Sequence, residues 1–123
     1  VKEATKKGFC EATIGDSINI QFPNSETRRG RVGAGVAQTL ETSINQATLT
    51  HDYRIRKLTP KECWQLMGFS DEDFQKAQNV GVSNSQLYKQ AGNSIVTNVL
   101  YYIFKNLLHA EIAKIYEENE ELS

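Results

Sequence analysis

The sequence predicts an α+β domain: a small, irregular, mostly β region, then short helices and one long C-terminal helix. Three observations carry that prediction. The chain has 123 residues, 39% hydrophobic and 24% charged, a soluble globular composition sized for one compact domain with a modest core. Residues 1–55 are rich in Gly, Thr and Asn and poor in bulky side chains, which is the language of loops and short strands. From Thr59 onward the pattern changes to helix starts followed by apolar residues at helical spacing.

Each element has its own signal. "SINIQF" (17–22) sets Ile18, Ile20 and Phe22 at period two, a half-buried strand. "PNSET" (23–27) is turn chemistry, and "RRGRVGAGV" (28–36) is a glycine-rich loop carrying three arginines. "QATLTHDYRIRKL" (46–58) holds one or two further strands, with Tyr53 and Ile55 alternating. "TPKE" opens a helix with Thr59 as N-cap, Pro60 in the first turn and Glu62 closing a capping box; Gly68 ends it. Ser70 caps a second helix, and Ser83 with Gln86 caps a third. A long helix should follow from about Ser94 to Glu118. Val96, Val99, Leu100, Ile103, Phe104, Leu107, Leu108, Ile112 and Ile115 form its apolar stripe. Residues 1–55 offer little to cover that stripe. Either the helix lies across its own domain, or it belongs against a partner absent from this chain.

Charge and cysteine content exclude some classes. Net charge is -1, so bulk charge does not announce a nucleic-acid binder. The charge is uneven, however: residues 1–58 hold nine Lys/Arg against six Asp/Glu, whereas 59–123 hold five against nine. A polyanion should meet the first half. Cys10 and Cys63 have no metal-type spacing, and His51 and His109 are far apart, so no metal site is expected. Free cysteines and the lack of a secretory signal or spanning segment predict a reduced, cytoplasmic protein with no membrane partner. The start at Val1 suggests a piece of something longer, with Met removal or a trimmed tag as the plainer explanation.

Two clusters suggest binding. Arg28, Arg29 and Arg31 stand in a glycine-flanked loop, where guanidinium groups could grip phosphates or guanine edges. Asn93 and Ser94, in "YKQAGNSI", are expected to begin the last helix. Free backbone N–H groups and two short polar side chains there suit a polar or anionic ligand group. Plain capping by Asn93 after a Gly92 turn is the alternative. Trp64 and Cys63 read as core, and Cys10 as a bystander.

"RKLTPKECWQLMGFSDEDF" (56–74) followed by "SNSQLYKQAGNSIVTNVLYYIFKNL" (83–107) resembles the C-terminal end of the DNA (cytosine-5)-methyltransferases. Those enzymes close with an Arg-x-Leu-Thr-Pro-x-Glu block and then a Gln-x-Gly-Asn-Ser block; both stand here, in order. "GDSINIQFPNSETRRGRVGAGVAQTL" resembles the family's target-recognition region in bacterial or phage members, with Thr39-Leu40 as its Thr-Leu signature. The cofactor loop Phe-x-Gly-x-Gly, the Pro-Cys nucleophile and the Glu-Asn-Val motif do not occur: Cys10 follows Phe9 and Cys63 follows Glu62.

The resemblance implies a C-terminal fragment or subunit: residues 1–55 for target recognition, 56–82 for the Arg-x-Leu-Thr-Pro motif and its helices, and 83–123 for the Gly-Asn-Ser motif and the closing helix. It implies that Thr39 helps hold the DNA backbone, beside the DNA contacts expected of Arg28, Arg29 and Arg31 from their loop and charge. Arg56 would organise the recognition domain. Asn93 and Ser94 would form one wall of an S-adenosylmethionine pocket, complete only with the missing catalytic part. The implied partners are double-stranded DNA and the N-terminal catalytic part of the same enzyme. The chain alone would be inactive, with a homodimer through the last helix as a further expected partnership. A stand-alone DNA-binding or protein-interaction module without catalysis is the competing reading.

Overall fold

The computed structural model describes residues 1–121 and has the α+β architecture expected. Four short strands, β1 (Ser17–Asn19), β2 (Val32–Gly33), β3 (Gln46–Leu49) and β4 (Ile55–Lys57), precede four helices. These are α1 (Pro60–Leu66), α2 (Asp71–Asn79), α3 (Asn84–Asn93) and α4 (Thr97–Glu121). The sheet order is β2-β1-β3-β4 and all pairs are antiparallel. Ile18 lies opposite Val32 on one side and Ala47 on the other, so the centre of the sheet is built around one isoleucine and one alanine.

Strand β1 is shorter than its apolar alternation suggests. The Asn19 side-chain oxygen accepts the Gln21 N–H at 2.9 Å, which turns the chain away from the ladder. Phe22 then takes φ 53° and is 58% exposed, so it does not share the buried face of Ile18. Tyr53 likewise does not alternate with Ile55 in a strand. It sits at φ 56° in the turn of the β3–β4 hairpin, where Thr50 N–H bonds to Arg54 C=O.

Helix starts follow their local signals. The Thr59–Glu62 capping box forms in both directions, Pro60 stands in the first turn, and Gly68 leaves α1 at φ 84°. Ser70 and Ser83 each accept the N–H three residues on. The buried groups of the helical layer are Cys63, Phe74, Leu87 and Ala91. Trp64 lies over them, 5.2 Å from Phe69 and 5.5 Å from Phe74 between ring centroids, and its indole N–H donates to Leu87 C=O at 3.0 Å. Tyr88 joins this layer to the sheet by donating to Leu58 C=O at 2.8 Å, while Leu58 N–H donates to Gln46 C=O.

The last helix departs from expectation at its start. Asn93 and Ser94 do not open α4; they close α3. Leu87 and Ala91, four residues apart, are both buried, so packing carries α3 through "AGN". Ser94 then goes extended, and both its N–H and its hydroxyl bond to Ala91 C=O. Nor does α4 lie across its own domain. Thr97 ties its start to the α1–α2 connection, through Met67 C=O and Gly68 C=O, and residues 101–120 are all exposed. At 100° per residue the nine apolar positions from Val96 to Ile115 spread over more than half of the helix circumference, which is a wide face rather than a narrow stripe.

Candidate functional site

The segment 38–42 is seated on the helical layer by buried amides. Asn45 and Gln46 are almost wholly buried, and both side-chain NH₂ groups donate to Thr39 C=O, at 3.3 and 3.2 Å. Gln46 also accepts the Gln38 N–H at 3.3 Å. Thr39 is thus held by its backbone, while its side chain stays exposed with no hydrogen bond among the described residues. The next turn of chain rests on Gly92, where a Cβ would overlap the carbonyl of Glu41. This is why glycine stands inside α3: the Glu41–Thr42 backbone lies against the helix itself.

That contact opens a cleft of about 370 Å³ lined by Thr39, Leu40, Met67, Gly92, Ser94 and Val96, among others. Ser94 and Thr39, from separate parts of the sequence, therefore share one cleft. The neighbouring Asn93 is exposed, and its amide makes no hydrogen bond among the described residues. The Ser94 hydroxyl donates inward to Ala91 C=O at 2.7 Å, which leaves it as an acceptor toward the cleft. The cleft is open on one side. It presents the Thr39 side chain and the Ser94 oxygen among the apolar neighbours Leu40, Met67 and Val96.

The arginine loop separates into two kinds of residue. Arg28 and Arg29 are exposed. Arg31 is 4% exposed: its Nη1 donates to Lys2 C=O and Pro23 C=O at 3.0 and 3.2 Å, and its Nη2 to Asn19 C=O at 2.8 Å. Its backbone N–H donates to the buried Glu3 carboxylate at 2.6 Å. Unlike Arg28 and Arg29, Arg31 thus has its guanidinium turned inward, onto carbonyls of the N-terminal arm and of the stretch 19–23. The sequence reading also missed Glu3, Asn45 and Gln46, polar residues that hold backbone in place. The one available signal was two adjacent amides, "NQ", beside the strand residue Ala47.

Arg56 grips Glu62 with two hydrogen bonds, Nη2 to Oε1 at 2.8 Å and Nη1 to Oε2 at 3.1 Å. Glu62 also accepts the Thr59 N–H at 2.7 Å, so one carboxylate joins β4 to the start of α1. The Arg56 hydrogen bond above all holds the Glu62 pKa at about 2, against the opposing effect of burial, with the Thr59 N–H and the Arg56 charge adding to the lowering. A carboxylate depressed in the folded state stabilises the fold above its ordinary pKa, and that contribution fades as pH falls from about 5 toward 2. Glu62→Gln should therefore lower stability at neutral pH by on the order of 1 kcal/mol, the pair being partly exposed and screened. It should also flatten the acid limb of a denaturation curve. An unchanged acid limb in the variant would show that the pair contributes nothing.

Cys63 is buried, and burial first, then the Glu62 charge, pushes its thiol up to about 11. It is a core residue rather than a nucleophile. Among the described residues no group of three metal-ligating side chains converges, and no helix is long and apolar enough to cross a membrane.

Residues 3–109 match the family described as C-5 cytosine-specific DNA methylase. The orphan methyltransferase M.Rho11sI of Bacillus phage rho11s is 67% identical over 60 residues, which is 49% of this chain and 12% of that protein. The orphan methyltransferase M.SPBetaI of Bacillus phage SPbeta is 61% identical over 62 residues, 50% of this chain and 14% of that one. The type II methyltransferase M.HhaI of Haemophilus parahaemolyticus is 48% identical over 54 residues, 44% of this chain and 15% of that protein. The matched part of the chain thus spans less than a sixth of the length of each of these relatives. No solved structure matches it significantly. With its Arg-x-Leu-Thr-Pro-x-Glu and Gly-Asn-Ser blocks folded side by side, this chain belongs to the C-5 cytosine-specific DNA methylases.

Proposed function

We propose that the chain is the C-terminal, target-recognition part of a DNA cytosine-5-methyltransferase. The observation that carries this reading is the shared cleft: Thr39, from the segment resembling the recognition region, faces the same hollow as Ser94 of the Gly-Asn-Ser block. A protein that must hold a nucleotide beside a methyl donor needs those two functions adjacent. Residues 1–55 supply DNA contacts through Arg28, Arg29 and Thr39, and the Arg56–Glu62 pair holds that region to α1. Asn93 and Ser94 supply one wall for S-adenosylmethionine, which when bound provides the methyl group. The exposed apolar helix α4 supports a partner surface for the N-terminal catalytic part. A cytosine flipped from the duplex would be enclosed between the two parts, because the reacting carbon is inaccessible within the stack.

On this reading the chain alone transfers no methyl group, since its one buried thiol is held neutral and Cys10 lies outside a Pro-Cys context. Incubation with duplex DNA and radiolabelled S-adenosylmethionine should give no label above a buffer control. Adding the catalytic part should restore transfer, and Asn93→Ala should then raise the KM for S-adenosylmethionine by about tenfold, the loss of one hydrogen bond to a bound ligand. Transfer by the chain alone would overturn the division of labour.

A further inference from the structure

The loop that follows β1 carries two local costs at one residue. Phe22 is a non-glycine residue at φ 53°, and its ring is more than half exposed. A left-handed backbone is unfavourable for such a residue, and a ring this exposed recovers little by burial. The ring is not idle, however. The Arg28 guanidinium lies over it, 4.5 Å from the centroid. Arg28 Nη1 donates to Gln21 Oε1 at 3.1 Å, and Gln21 Nε2 donates to Glu41 Oε2 at 2.9 Å. Glu41 is the residue whose backbone rests on Gly92, two positions from Thr39. The Phe22–Arg28 pair is thus linked to the segment that enters the shared cleft.

The pair is also supported from beneath. Arg31 binds Pro23 C=O and Asn19 C=O, which bracket Phe22 and fix the loop on β1. Alongside, Arg29 Nε donates to Ala4 C=O at 2.7 Å and Ala4 N–H donates to Arg28 C=O at 2.8 Å, so the N-terminal arm with Lys2 and Lys6 joins the arginine loop. No ion pair among the described residues engages Lys2, Lys6, Arg28 or Arg29, whereas Arg54 and Arg56 are paired with Asp52 and Glu62. Arg28, one of these cations, lines an open hollow of about 570 Å³ together with Phe22, Pro23, Asn24, Ser25 and Thr27.

We propose that Phe22 and Arg28 are the sequence-reading pair of this chain, and that Arg31 is the positioning residue that holds them. The proposal rests on the DNA-recognition reading above. It goes further by separating reading from gripping. Arg28 is pre-ordered by the ring and by Gln21, and its Nη2 and Nε are uncommitted, which suits bidentate contact with the O6 and N7 acceptors of a guanine. Phe22 offers its face or edge to the adjacent base. Arg29 and Lys6 neutralise phosphates without reading sequence.

The test is selection from a randomised duplex library by the chain, followed by salt-dependent binding to the selected and a scrambled duplex. Arg28→Lys keeps the charge and loses the fork; Phe22→Gly keeps the left-handed turn and loses the ring. Each should cut the preference for the selected duplex by about tenfold at one base pair, and leave scrambled-duplex affinity within about twofold. Arg29→Ala should weaken both duplexes alike and lower the salt slope by about one. Arg31→Lys should relax the preference while leaving the salt slope unchanged, which a merely structural role would not do. If Phe22→Gly and Arg28→Lys select the parental sequence with the parental preference, the pair does not read DNA. The same conclusion follows if the parent binds duplexes without preference. A parent that binds no duplex at all would instead overturn the recognition reading itself.

Discussion

In sedimentation, the chain is expected to run as a dimer or larger species, and Ile103→Asp with Leu107→Asp should return it to a 13.9 kDa monomer. The driving force is α4. Val99, Tyr101, Ile103, Phe104, Leu107, Leu108, Ile112, Ile115 and Tyr116 are each about half exposed or more, on a helix about 37 Å long at 1.5 Å per residue. Contiguous apolar surface on that scale rarely stays hydrated. The width of the apolar face says more. A two-helix seam needs only a narrow stripe, whereas this helix is apolar over more than half its circumference and so suits a groove with several walls. Self-association should therefore be the weaker solution. Adding the N-terminal catalytic part should replace the homodimer with a one-to-one complex, and the double aspartate variant should fail to form it. A parent chain that stays monomeric across the accessible concentration range, with α4 helical by circular dichroism, would defeat this account.

Gly92→Ala is expected to lower the melting temperature by on the order of 10 °C. The sign is informative because two effects oppose each other. In an ordinary helix interior, alanine is preferred over glycine by about 1 kcal/mol. Here the new Cβ would overlap the Glu41 carbonyl, and a buried clash with backbone costs about 3 kcal/mol when neither side can yield. The Glu41 segment is held by Asn45 and Gln46 through Thr39, so it has little room to retreat. The net loss of about 2 kcal/mol corresponds to that shift in a domain of this size. Thr39 should also move away from Ser94, so a reconstituted enzyme carrying Gly92→Ala should lose activity even below its melting transition. A variant as stable as the parent, or more stable, would mean that 38–42 is not seated as described.

Much of the fold was legible in residues 59–96 because its signals are local. Thr59 with Glu62, Ser70 with Asp73 and Ser83 with Gln86 each act across three residues, and Gly68 ends α1 through its own backbone angle. Short range also limited the reading. Asn93 and Ser94 look like a helix start because glycine before them looks like a turn. What decides otherwise is the Glu41 backbone, which needs a glycine inside the helix it packs against. Arg28, Arg29 and Arg31 are equivalent as letters in one loop. Only the three carbonyls of Lys2, Asn19 and Pro23, brought together by the tertiary fold, make Arg31 a buried clasp, whereas Arg28 lies on the Phe22 ring. By itself the sequence determined the α+β class, the helix caps, the family blocks and an apolar last helix. The tertiary structure decided which polar groups face inward and which stay free, because hydrogen bonds between segments distant along the chain satisfy buried donors and carbonyls that no local pattern specifies.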